Sequence, residues 1–419
     1  MKFVNRMKFF LLCGAMLVTV LCSGQQKDLS FYLSMAKGHT PVLADLAGQR
    51  RSLSLDSARL RATYGLQVSA DVNLLYAPVI HGWGYDNAIT NGQNMTGVLS
   101  LRKEITSRDN LETRLRQFSI QGKQADNQQM LSSESIQGAV TQQYIICYGD
   151  QQQYFLAREI SAFLEVEDEI LKALTRTASF SQSDYLLFKV ALQTQDLAQQ
   201  EARSQFLTDM GQLNYACGLV DTSWVDLPAP DWRDSVALPT GYDQSVYYDQ
   251  NILDSAQIDN AAQITRLNYK PRISVFGDGG YSSSLPRQAG KNFGASIGLS
   301  YSLPIYDGKQ KKYALLQNSL ADESRIRHAT QRQRQYEGMV LQLKQQLDLA
   351  GKQIAAAEKR LVYAKTLITA GKKLLPAGDM RMADYLMGIN NYMNLSATVI
   401  QNKVKRLLVI YQLQHIILP

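Results

Sequence analysis

Ala295-Ser296-Ile297-Gly298-Leu299-Ser300-Tyr301-Ser302-Leu303-Pro304-Ile305-Tyr306-Asp307-Gly308 is the stretch that decides the fold. Apolar or aromatic residues at 295, 297, 299, 301 and 303 alternate with Ser or Gly, so a strand here has one apolar face and one small polar face. That is the pattern of a transmembrane barrel strand, with lipid on one side and water on the other. A soluble sandwich edge would give the same alternation, but the flanking sequence is helical. Upstream, Ile273, Val275, Gly277, Gly279 and Tyr281 alternate with Arg272, Ser274, Phe276, Asp278 and Gly280, which predicts a hairpin over about 271–305.

The same arrangement occurs 200 residues earlier. Val68, Ala70, Val72, Leu74 and Tyr76 alternate with Ser69, Asp71 and Asn73, and the return segment is 96–103, predicting a hairpin over about 67–105. Leu99, Leu101 and Ile105 align with Leu299, Tyr301 and Ile305, and Asp184-Tyr185-Leu186 recurs as Asp384-Tyr385-Leu386. So large a period is no solenoid unit but a duplicated half-protein.

Between the strands the chain is rich in Gln, Ala, Leu, Lys and Glu, and nearly free of Pro. Val340, Leu343, Leu347, Ala350, Ile354, Ala357, Leu361, Ala364 and Ile368 advance in steps of three and four, a coiled-coil seam. Helices over about 109–177 and 309–375 would each be on the order of 100 Å long at 1.5 Å per residue. Return helices follow at about 181–217 and 381–416, with further helix at 27–65 and about 245–268. Trp224, Pro228, Pro230, Trp232 and Pro239 mark an irregular belt. The predicted organisation is a signal peptide (1–24), a first structural repeat (25–220), a linker (221–244) and a second repeat (245–419).

Lys2, Arg6 and Lys8 precede the apolar run 9–21 and Cys22-Ser23-Gly24, the layout of a secretory signal, with cleavage expected before Gln25. A lipid anchor on Cys22 is the alternative, disfavoured by Leu21. Losing the three basic residues lowers the formal charge from +7 to +4, spread along the chain, which points away from nucleic acid. Cys147 and Cys217 remain, each in a helical pattern, so no disulfide framework is expected. No later stretch reaches the roughly 18 apolar residues of a spanning helix. A membrane-embedded form must therefore use strands. Four strands cannot close a barrel, for which about eight is the minimum, whereas three chains would supply twelve.

The corner Leu303-Pro304-Ile305-Tyr306-Asp307-Gly308 and the turn Ala377-Gly378-Asp379-Met380-Arg381-Met382-Ala383-Asp384-Tyr385-Leu386, in this order and spacing, resemble the TolC-type outer-membrane efflux family over about 27–417. The resemblance implies an α+β membrane protein: a homotrimer with a twelve-stranded outer-membrane barrel, four strands per chain, continued by a long α-helical coiled-coil tunnel across the periplasm of a Gram-negative bacterium. It implies a passive exit duct for small molecules, in contact with outer-membrane lipid and coupled through a periplasmic adaptor protein to an inner-membrane pump of RND or ABC type, with no cofactor. A type I protein-secretion duct needs the same architecture. A periplasmic coiled-coil scaffold whose strands never enter the membrane is the reading from another class.

In that family inward-facing acids close the second helical tip. Asp384 falls on the first acidic position, six residues after Gly378, and the second is Met387 here. The positions that lock closed tips appear as Met380 and Leu375, with Asp379 and Arg381 displaced by one. In the first half Ala178 replaces the tip glycine, so the same fold with a different turn is expected, and Asp184 is the matching acid. Both acids have a plainer reading as first-turn residues favourable to a helix dipole, Asp184 beside the capping candidate Ser181. Pro304 and Gly308 form the barrel-to-helix corner; the first half has Arg102-Lys103-Glu104 in place of Ser302-Leu303-Pro304. Arg102 and Lys103 either tune a barrel interior or snorkel at a membrane boundary. Tyr76, Trp83, Tyr85, Tyr281, Tyr301 and Tyr306 suit interface belts.

His39, His81, His328 and His415 have no metal-ligand spacing, and Met380, Met382, Met387 and Met393 read as helix packing rather than a soft-metal site. No nucleophile motif, phosphate loop or carboxylate pair is present, so no enzyme is expected.

Overall fold

A computed structural model describes residues 27–85, 92–230, 241–284 and 290–416. The expected signal peptide, Trp232, Pro239 and parts of both predicted strand loops lie outside them. The elements are helices α1 (Leu29–His39) and α2 (Pro41–Thr63), strands β1 (Gln67–Tyr76) and β2 (Gln93–Ile105), and helices α3 (Arg108–Arg176), α4 (Gln182–Ala216) and α5 (Val246–Asn268). Strands β3 (Arg272–Ser283) and β4 (Phe293–Ser302) and helices α6 (Gln310–Ala377) and α7 (Met382–Gln414) complete the chain.

The helix expected over 27–65 is two helices. Asp28 caps α1 by accepting the Phe31 N–H at 2.9 Å, and Thr40 is extended with ψ 114°. Pro41 excludes the helical conformation from the residue before it and, lacking an N–H, is suited to open α2. The last strand also ends sooner than its alternation suggests. Ser302 is its final residue, and Pro304, which has no N–H for a ladder, follows after Leu303.

Contacts divide the chain into two compact units, each drawing on both sequence halves. The first comprises 27–41, 132–230 and 336–416. Here α1 lays Tyr32 and Ala36 on Tyr144 and Cys147 of α3 and on Phe206, Met210 and Leu213 of α4. The irregular segment after α4 covers this core: Trp224 packs its ring on Tyr154 and Phe206 at 4.8 and 4.2 Å between centroids. Polar ties fix it, with Tyr144 Oη donating to the Pro228 carbonyl at 2.8 Å and the Leu227 N–H donating to Gln151 at 2.9 Å. Cys147 and Cys217 are buried free thiols.

On α6 the buried residues recur every seven from Tyr336 through Leu343, Ala350, Ala357 and Ala364 to Gly371, and Leu375 joins them four residues on. The other predicted seam positions, Val340, Leu347, Ile354, Leu361 and Ile368, are half-buried. A strict period of seven keeps one stripe facing its neighbour along an under-wound helix.

The second unit comprises 42–131 and 241–335 and holds the sheet, in the order β1-β2-β3-β4 with every pairing antiparallel. Register pairs Leu99 with Ala70 and with Gly279, and Gly279 with Ala295. Ser245 caps α5 by accepting the Tyr248 N–H at 3.3 Å.

Candidate functional site: a two-faced sheet and two helical turns

The register sorts every strand residue onto one of two faces. Val68, Val72, Leu74, Leu99, Leu101, Val275, Ile297, Leu299 and Tyr301 share one, and Ser69, Asp71, Asn73, Ser100, Asp278, Ser296 and Ser300 share the other. The apolar face is bare: Val72 is 73 % and Ile297 85 % exposed. An apolar surface spanning four strands is beyond what a soluble surface ordinarily leaves uncovered. The polar face carries its own bonds, with Ser296 Oγ donating to Asp278 at 3.3 Å. At the sheet's two sides, β1 and β4 each leave one edge without a strand partner among the described residues. Such edges invite pairing with another chain.

Arg102 and Lys103, taken together in the sequence, separate here: Arg102 lies on the polar face and Lys103 on the apolar one. Of the aromatic candidates, Tyr76, Trp83, Tyr85, Tyr301 and Tyr306 are exposed, while Tyr281 packs edge-on to Phe293 at 5.6 Å.

At the corner from β4 to α6, Pro304 stands in the link between strand and helix and Gly308 has φ +64°. The residue doing the joining is Asp307, within the corner motif. Its carboxylate accepts the N–H groups of Lys309 at 2.9 Å and Lys311 at 2.7 Å, capping α6. Those bonds, that from Lys311 foremost, and one from the Tyr269 hydroxyl hold Asp307 below the usual carboxylate range. The corner from β2 to α3 uses Ser107, whose Oγ accepts the Asn110 N–H at 3.3 Å.

The helical turns belong to the first unit. After α6, Asp379 N–H donates to the Leu374 carbonyl at 3.0 Å and Gly378 N–H to that of Leu375 at 3.1 Å, with Gly378 at φ +81°. This is a Schellman closure, for which glycine is suited. The turn after α3 was expected to differ because Ala178 stands at the glycine position. It does not differ: Ser179 N–H donates to Leu174 at 3.0 Å, Ala178 N–H to Thr175 at 3.1 Å, and Ala178 adopts φ +57°. The bonds the helix end must satisfy outweigh the strain on one Cβ, and Thr177 Oγ1 adds a bond to Leu174 at 3.0 Å.

A left-handed alanine is strained by roughly 1–2 kcal/mol, partly offset by the entropy glycine would lose on folding. Ala178→Gly is therefore expected to stabilise by about 0.5–1 kcal/mol, and Gly378→Ala to destabilise by about 1 kcal/mol. Amide exchange at Ser179 and Asp379 would check both; equal protection in parent and variants would refute the strain.

Between the turns lies a shared core of Leu164, Leu171, Phe188, Leu375, Met382 and Tyr385. Gly371 is at a seam position where a Cβ would lie 2.5 Å from the Tyr385 ring, so the seam narrows to admit that ring. Of the four methionines, Met382 is buried here, Met380 and Met393 pack against the core, and Met387 is exposed. Ion pairs frame it: Lys189 to Asp168 at 2.9 Å and Lys372 to Glu167 at 2.6 Å.

Asp384 is in the first turn of α7, as its plainer reading has it. It is also gripped by Arg381, with Nε to Oδ2 at 2.9 Å and Nη2 to Oδ1 at 3.2 Å. Asp379 lies in the turn itself. Asp184 opens α4 half-buried, and Ser181 bonds Ser183 Oγ at 2.8 Å instead of capping the helix. In the sequence the signal for the Arg381–Asp384 pair is its three-residue spacing at a helix start.

No group of three or more His, Cys, Asp or Glu side chains able to hold a metal occurs among the described residues, and no helix there is long and apolar enough to cross a membrane. No family model and no curated protein matches the sequence. Solved structures do match in fold. A membrane protein from Pseudomonas aeruginosa superposes with TM-score 0.75 at 14 % identity, covering 93 % of each chain. The outer membrane protein VceC from Vibrio cholerae gives 0.76 at 10 %, covering 93 % of this chain and 94 % of that one. CusC, whose structures describe transmembrane channel formation, gives 0.76 at 13 %, covering 93 % and 91 %.

Proposed function

We propose that this chain, which has the fold of the outer-membrane channel proteins, is itself an outer-membrane channel: three copies close one twelve-stranded barrel, and their helices continue it as a periplasmic duct. The observation that carries this is the two-faced sheet. Its bare apolar face suits lipid, its Ser-rich face with Asp71 and Asp278 suits a wet lumen, and its unpaired β1 and β4 edges suit neighbouring copies. In this reading the duct is passive. It serves small-molecule efflux through an adaptor and an inner-membrane pump, and the two helical turns are where the closed end opens.

Under threefold symmetry the turns would bring three Asp384 carboxylates together. Each is held by its own Arg381, so the constriction is nearly neutral rather than strongly acidic. Removing Asp384 would leave three unpaired arginines there. Purified protein in planar bilayers is expected to open small channels of weak ion preference, and Asp384→Ala to shift the reversal potential in a KCl gradient toward anion selectivity. A reversal potential unchanged by the substitution would reject the constriction. Absence of conductance together with a soluble monomer would reject the channel.

A further inference from the structure

Lys103 is the only charged side chain that the register places on the apolar sheet face. It lies two residues before the end of β2, and just beside it a cleft of about 800 Å³ opens against that face. Leu101, Ile105, Val275 and Ile297 supply apolar walls, and the end of α2 brings Arg61 and Tyr64 to the same opening. Glu104 is the one acid among the lining residues, and alternation along β2 assigns its side chain to the opposite face. Neither Arg61 nor Lys103 has an ion-pair partner among the described residues. A lone lysine on such a face would be explained by snorkelling. A second cation arriving from a separate element, over an apolar cleft of ligand size, is not.

We propose that the cleft holds one anionic phospholipid of the inner leaflet, its phosphate between Lys103 and Arg61 and an acyl chain along the apolar wall. The proposal rests on the membrane orientation above, which puts the helix-bearing end of the sheet at the periplasmic boundary, where inner-leaflet phosphates lie. Charge complementarity selects an anion, and the walls select one with a hydrocarbon chain: inorganic phosphate would leave the apolar surface bare. Tyr64 combines an apolar ring with a hydroxyl donor, as interfacial aromatic residues do.

The test uses full-length protein in nanodiscs of phosphatidylethanolamine with a minor share of phosphatidylglycerol, released for native mass spectrometry. Wild type is expected to retain phosphatidylglycerol, one per chain, over phosphatidylethanolamine. Arg61→Gln with Lys103→Gln is expected to weaken retention at least about tenfold, while Arg61→Lys with Lys103→Arg keeps it. Equal retention in the glutamine variant, no preference between the lipids, or displacement by inorganic phosphate alone would each overturn the site. Outer-membrane fractionation and heat-resistant oligomers are scored on the same samples. If those are present and the lipid is absent, the site fails and the channel stands; if those are absent, the membrane reading fails first.

Discussion

Leu99→Arg is expected to abolish heat-resistant, membrane-embedded oligomers, while Ser100→Arg, one residue later, is expected to leave them intact. Leu99 is at the middle of β2 on the apolar face, between Ala70 and Gly279, where small neighbours offer an arginine no partner. A cation at the mid-plane of a barrel's lipid face costs about 2–4 kcal/mol per chain, and a trimer would incur it three times. Ser100 points the other way and pairs in register with Asp278, so an arginine there meets water and a carboxylate. Membrane fractionation and unboiled gel mobility of the two variants read the result. Equal behaviour would mean that the two faces do not meet different solvents, and the barrel reading would fail even if the fold is right.

The second large effect is on pH. Asp150 of α3 faces Asp209 of α4, and Asp209 already accepts from Gln205 at 2.6 Å and Gln143 at 3.3 Å. Asp150 Oδ2 is buried with no conventional donor, so the bond between the two carboxyls requires a proton. Burial first, then bonding to and repulsion by Asp209, pushes Asp150 up to about 7. An unfolded chain loses that proton near 3.8, its ordinary value. Between those values the folded protein holds the extra proton, so the contribution of this pair to stability is fully present below about pH 4 and is lost as pH rises through 7. With screening of the partly exposed pair allowed for, the loss by pH 8 is on the order of 2 kcal/mol. Asp150→Asn donates to Asp209 at every pH. It is expected to unfold at a higher temperature than wild type at pH 8 and to flatten the slope between pH 5 and 8. Parallel slopes would exclude the shared proton.

Much of the candidate site was legible because its signals are local. The alternation from Ala295 to Tyr301 states which residues share a face before any partner strand is known. Long helices were legible from the heptad steps after Val340, and their turns from Gly378. Asp307 stands three residues before the first residue of α6, within reach of its free N–H groups, a signal the corner motif carries. At Ala178 residue preference points to a different turn, but the bonding needs of the helix end decide the backbone geometry. The break at Thr40 is carried by Pro41, a signal as local as any in the chain.

By itself the sequence determined the elements and their faces: period two and period seven are properties of the chain, fixed by how successive side chains project from strand and helix. Only the tertiary structure decided which groups meet. The packing of α2 beside the sheet sets Lys103 over the same cleft as Arg61. Packing of α3 on α4 brings Asp150 to Asp209, and the turn before α7 folds Arg381 onto Asp384. Charges distant in sequence, or close in it but free to point anywhere, acquire a chemistry only when the fold fixes their separation, because Coulomb and hydrogen-bond energies depend on distance and sequence spacing does not set it.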